Sequence, residues 1–340
     1  MFAKVADEKK IRCFRQAEFV ISCRMLLKVF LLQTMIALCA AQSLHALPKQ
    51  VAPVAVALQQ QAGENGMLVW HTAHYRITSP TEIKGEDLKR IAQIAETITW
   101  VVKNETLPLY APPPGERALI AIYPDTKQYE AAGGYAGTAG SYEPRKSCLF
   151  LNGSYYFESA PRAGSRLTPV HNEDLLVHEM VHLCMHRYMG RLPAWVAEGF
   201  AEYYACMHTR AGNFSFANPE MSIRDHLRDR YRRDDPTVFV RAVAEIAPLH
   251  GRAWLDLMAK LAEKDRYQAY AIALLMIHYH LHGGEVRRGS IVALLEEAAK
   301  QERYRPISYA VDGPVVGAAL QQFWKPRGLQ IQYPVADKAP

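Results

Sequence analysis

The spacing between two short segments limits what this chain can fold into more than any other feature. His178-Glu179-Met180-Val181-His182 is followed, fifteen residues beyond His182, by Glu198 in the run Trp195-Val196-Ala197-Glu198-Gly199-Phe200-Ala201-Glu202-Tyr203. On a helix, His178 and His182 stand one turn apart and project from one face, with Glu179 one step round from them. That helix is expected to run from Thr168-Pro169, a polar cap followed by proline at the first helical position, to Gly190, a left-handed cap. Leu192-Pro193 then turns the chain into a second helix, roughly Ala194 to His208. Gly190 lies about 12 Å beyond His182, and the return from Pro193 recovers about 7–8 Å by Glu198, enough for its carboxylate to reach back to the imidazoles. Glu202 follows one turn later on the same face.

Two imidazoles and a carboxylate brought together form a metal-ligand set. A catalytic zinc takes three protein ligands and keeps one position open. It lowers the pKa of water there towards ~7, and a neighbouring carboxylate can then accept the proton. His178, His182 and Glu198 are therefore the expected ligands of Zn2+ and Glu179 the expected general base. Glu202 is a candidate partner for a histidine N–H. The bland alternative, a chance H-E-x-x-H on a surface helix, is weakened by the Glu-Gly-x-Ala-x-Tyr element at a returning distance.

On His178-Glu179-x-x-His182, Trp195 and Glu198-Gly199-x-Ala201-x-Tyr203, the chain resembles the gluzincin metallopeptidases. Within them it is most similar to bacterial peptidase-MA-like domains, and more distantly to thermolysin-like and aminopeptidase-like enzymes. Specific motif residues cover only 171–204; similarity of organisation extends over about 70–300. The resemblance implies an α+β, zincin-like fold: a small N-terminal mixed sheet with helices, a two-helix metal site and a helical C-terminal half. It also implies zinc on His178, His182 and Glu198, and a peptide or protein substrate. A tyrosine or histidine from the later helices would stabilise the oxyanion. Tyr267 is the best match for that role, with Tyr270 and His226 as alternatives, and a packing role stays open for each. The metzincin pattern is excluded, because Met185 and Tyr188 stand where it needs glycine and histidine. Two other readings stay open: a zinc hydrolase acting on another kind of bond, and an inactive secreted binding protein on the same fold.

The N-terminal 46 residues read as an extension and an export signal. Lys28 precedes a nearly unbroken apolar run from Val29 to Ala41 and a small-residue end at Ala46, with Met25 a candidate true start. An uncleaved membrane anchor is the competing reading, although the run is short for a span. Lipidation at Cys39 is disfavoured by the bulky Leu38. The full chain has 40 basic and 34 acidic residues. Seven of the basic and three of the acidic residues lie before Leu47, so the remainder is close to neutral. The basic balance is therefore no sign of a nucleic-acid partner. Of six cysteines, Cys148, Cys184 and Cys206 remain beyond the signal; buried free thiols are the simpler expectation, a Cys184–Cys206 bridge the alternative.

Along the rest, residues 47–69 are expected as a linker, 70–210 as a strand-containing subdomain with the metal helices, 211–330 as a helical subdomain and 331–340 as a tail. Strands are expected at His74–Ser79, Ala118–Tyr123 and Ser147–Leu151. A helix over Asp87–Leu107 buries Leu88, Ile91, Ile94, Ala95, Ile98 and Val102. Later helices are expected at Ile223–Arg233 (a basic, solvated face), Arg252–Lys264, Tyr267–His282, Ser290–Arg303 and Gly313–Trp324. The glycine-rich stretch Gly133–Gly140 lacks the Lys-Ser/Thr of a phosphate loop and reads as a mobile connection. By resemblance, the Ser147–Leu151 strand would pair with an extended substrate; an ordinary internal strand is the alternative. His278 and His282 share a helix face but have no acid or cysteine beside them, and they are read as structural.

Overall fold

In the N-terminal half of the described region, apolar alternation builds a mixed six-stranded sheet. A computed structural model describes residues 47–157, 169–231, 235–300, 306–307 and 312–333; the expected export signal lies outside them. The strands are β2 (Gln59–Glu64), β3 (Met67–His71), β4 (Tyr75–Ser79), β5 (Ala118–Tyr123), β6 (Gly140–Glu143) and β7 (Cys148–Asn152). Their order is β2-β3-β4-β5-β7-β6, parallel across β4-β5-β7 and antiparallel elsewhere. A short β1 (Gln50–Val51) pairs instead with β9 (Asn213–Ser215), which also pairs β8 (His208–Arg210).

Between β4 and β5 runs α1 (Gly85–Asn104), whose expected apolar stripe is buried, Ile94, Ala95 and Ile98 completely. After β5 come α2 (Thr126–Ala132), capped by the Asp125 carboxylate on the Gln128 N–H, and, beyond β7, the single turn α3 (Gly153–Tyr156). The two helices of the candidate site are α4 (Pro169–Cys184) and α5 (Ala194–Met207). They pack on each other, with α1 against α4. The rest is helical: α6 (Pro219–Tyr231), α7 (Val243–Ile246), α8 (Gly251–Lys260), α9 (Glu263–His282), α10 (Glu285–Lys300) and α11 (Gly313–Trp324). A small parallel pair, β10 (Thr237–Phe239) with β11 (Gln330–Gln332), ties the end of the chain to its middle. The architecture is mixed α and β, with an N-terminal mixed sheet and a helical C-terminal half.

Four expectations change. Residues 47–69 are not a loose linker: they supply β1, β2 and the start of β3, because Val51, Val69 and the following Trp70 find buried places. The described residues from Leu47 onward cluster as one compact unit, in which α9 packs its centre against α5 across the boundary expected at residues 210 and 211. Residues 331 and 332 belong to β11 and not to a tail. The first metal helix stops at Cys184, short of Gly190. There the Cys184 carbonyl accepts the Ala111 N–H (2.8 Å) and Arg187 N–H bonds the Ala111 carbonyl (3.0 Å), so a distant segment takes groups the helix would have used. A 3-10 turn (His186–Tyr188) follows, and Gly190 still turns the chain with φ 77°.

Candidate metal centre

Helical spacing places His178 and His182 on one face of α4, and the turn through Met185–Pro193 brings Glu198, in the second turn of α5, over them. The Nε2 atoms of the two histidines are 3.1 Å apart, and Glu198 Oε2 lies 3.3 Å from each. The rings meet edge to face, their planes at 85°. A tetrahedral cation with bonds of about 2.0–2.1 Å separates its ligand atoms by about 3.3–3.4 Å. The observed triangle has that size, and its chemistry of two imidazole nitrogens and a carboxylate oxygen suits a cation. His178, His182 and Glu198 together can hold a metal ion. Among the described residues no second such group occurs: His278 and His282 stack on one another, 4.4 Å between centroids, and although Glu220 Oε1 lies 4.0 Å from His278 Nε2, the three do not close into a ligand set.

Electrostatics points the same way. Burial opposes a charge on His178, but the carboxylates of Glu198 and Glu202 outweigh it and carry its pKa up to about 10. Burial likewise opposes the Glu198 anion, yet His182 and His178 hold that carboxyl down to about 2. The pocket is built around positive charge shared by these groups.

Glu179 is partly exposed beside this triangle and belongs to no ion pair with it. Its Oε2 accepts the Tyr142 backbone N–H of β6 at 2.9 Å, which fixes the carboxylate plane from the sheet side. The Tyr142 hydroxyl is in turn bonded to His186 Nδ1 on the turn after α4. β6 is the outer strand of the sheet, whereas β7, expected to receive an extended partner, is paired on both sides. On this side of the sheet the unpaired edge therefore belongs to the stretch that follows the glycine-rich connection. That connection is pinned: the Tyr129 hydroxyl bonds Thr138 (2.6 Å) and Ser141 (2.9 Å). A Cβ on Gly134 would lie 2.3–2.5 Å from the Tyr129 ring, so only glycine fits there. Short glycine-interrupted strands carry no alternation, which is why β6 escapes sequence reading.

Gly199 has a related role at the other wall. A Cβ there would come within 2.5 Å of the Ala273 carbonyl, so the glycine lets α5 and α9 approach closely. This seats Tyr270, on α9, with its ring 6.2 Å from that of His178. Burial, then the nearby Glu198 carboxylate, push the Tyr270 phenol far up, so at neutral pH it is a proton donor. Tyr267 points elsewhere: its hydroxyl donates to Glu202 Oε2 at 3.2 Å. His226 Nε2 lies 3.1 Å from the same oxygen. Glu202 Oε1 approaches His178 Nδ1 at 3.0 Å, close though not in line for a straight hydrogen bond. Tyr267 and His226, both candidates for the oxyanion role, thus bind the carboxylate behind His178, and Tyr270 is the candidate near Glu198. Cys148, Cys184 and Cys206 are buried free thiols, so Cys184 and Cys206 do not bridge.

Set against known proteins, the chain matches no family model and is significantly similar to no curated protein. Among the described residues no helix is long and apolar enough to cross a membrane.

Proposed function

We propose that this chain is an exported zinc-dependent peptidase of gluzincin type, with a zincin-like fold. The observation that carries the reading is a ligand triangle of tetrahedral size with a carboxylate, Glu179, steered beside it by the outer strand. The donor set of two imidazoles and one carboxylate favours zinc over calcium or magnesium, which prefer oxygen alone. Bound there, the cation would supply Lewis acidity to water and to a substrate carbonyl.

The protein's own groups supply the rest. Glu179 takes a proton from water and returns it to the leaving amine. Tyr142 N–H leaves one Glu179 oxygen free for that transfer. The Tyr270 hydroxyl donates to the carbonyl oxygen as negative charge develops on it. An extended peptide laid along β6 would run past Glu179 and pair with backbone groups of that edge other than the Tyr142 N–H, which Glu179 holds.

The test is metal analysis of purified protein together with digestion of a peptide library with and without chelator. Near-stoichiometric zinc and chelator-sensitive cleavage are expected. Glu179→Gln should keep the metal and lose cleavage by about 10²–10⁴-fold, the usual share of a general base. Full hydrolysis by that variant would remove Glu179 from the reaction.

A further inference from the structure

The carboxylate of Glu202 is almost fully enclosed, its side chain 8% exposed, and every contact on it comes from a different helix. Its Oε1 faces His178 Nδ1 of α4 at 3.0 Å. Its Oε2 receives His226 of α6 at 3.1 Å and the Tyr267 hydroxyl of α9 at 3.2 Å. A buried ionised carboxylate only accepts, so the proton in each contact sits on the partner: on Nε2 of His226 and on the hydroxyl of Tyr267. The terminal torsion of a glutamate is broad and has no strong preference of its own. With Oε2 gripped by two donors the carboxylate plane is fixed, and with it the position of Oε1 against His178. Once a cation replaces the proton on Nε2, His178 would be held with its other proton on Nδ1 and Nε2 directed towards the site shared with His182 and Glu198.

We infer that His226 and Tyr267 are positioning residues for the metal centre, acting on His178 through Glu202 and touching neither cation nor substrate. This rests on the metal reading above. It gives α6 a task that its basic, apparently solvated sequence conceals. The alternative is that the two side chains only pack: Tyr267 does stack on Tyr270 and face Tyr231. Packing alone would not depend on a hydrogen-bond donor at each position, which is what separates the two accounts.

The experiment measures zinc affinity of the whole chain by competition with a chromophoric chelator, together with the visible spectrum of the cobalt-substituted protein and the melting temperature of the metal-free form. His226→Ala should weaken zinc binding about 10–100-fold, the usual cost of losing a partner behind a ligand. His226→Gln, whose amide can still donate to Oε2, should recover most of that loss. Tyr267→Phe, which keeps the ring and its packing, should weaken binding by a smaller factor and shift the cobalt spectrum. If His226→Ala and Tyr267→Phe both bind zinc as the wild type does, the inference is overturned while the metal reading stands. Weakening that Gln does not recover, with Tyr267→Phe silent, also overturns it and leaves a packing role. Failure of the wild type to take up zinc overturns the metal reading itself, and this inference with it.

Discussion

At the scale of single residues, the two tyrosines of α9 separate by where their hydroxyls end. Tyr270 is near Glu198, and Tyr267 is on Glu202. Tyr270→Phe should therefore lower kcat by about 10²–10³-fold, as loss of one oxyanion donor does, with little change in KM or in bound zinc. Steady-state kinetics on the best library peptide, with metal content measured alongside, checks it; an unchanged kcat assigns the donor elsewhere. The family resemblance ranks Tyr267 above Tyr270; both lie near the start of one helix, and periodicity does not say which face meets the site. His226 shows the same gap in another form: on a helix rich in arginine and aspartate it looks solvated, yet it is turned inward to a carboxylate from another helix.

At the scale of elements, the close crossing of α5 and α9 depends on Gly199. Gly199→Ala adds one methyl where the Ala273 carbonyl and Ile277 Cγ1 each stand 2.5 Å away, so the helices must part. Overpacking of this kind costs about 1–3 kcal/mol, which urea unfolding of the variant would register. Because α9 carries Tyr270, activity should fall by more than stability accounts for. An alanine variant as stable and active as the parent would mean that the crossing can open at no cost. The glycine was visible in the sequence as part of a motif. Its physical reason, the backbone carbonyl of Ala273 on a helix remote in the chain, was not.

For the whole molecule, His278 and His280 make stability sensitive to acid. Burial first, then His282 and Arg327, depress the His278 pKa to about 2, and burial depresses His280 to about 4. Both are neutral when folded and take up a proton near pH 6.5 when unfolded. Their contribution is complete above about pH 6.5 and is lost as pH falls below it. Each steepens the decline by up to about 1.4 kcal/mol per pH unit. His178 opposes part of this between about pH 7 and 6, because its unfolded imidazole gains a proton there that the folded one already holds, and it adds little slope below that. Urea midpoints of metal-free protein at pH 7, 6 and 5 should fall, and His278→Gln should flatten the slope by about one proton. A level profile would show that these side chains reach water before the fold opens. This behaviour fits the structural reading of His278, which packs against Trp324 where α9 meets α11.

The sequence by itself determined what depends on near neighbours. The stripe of α1, the span of β5, the bounds of α11 and the one-turn spacing of His178 and His182 all follow from periodicity and local caps. The meeting with Glu198 was also legible, because a helix of known rise, a turn and a second helix leave little freedom over twenty residues. Tertiary structure alone decided which strand forms the sheet edge, that residues 47–69 join the sheets, where the first metal helix ends, and what surrounds Glu202. Each of these rests on contacts between segments remote in the chain. Buried hydrogen-bonding groups there take whichever partner the packed fold delivers, and no local pattern encodes that choice.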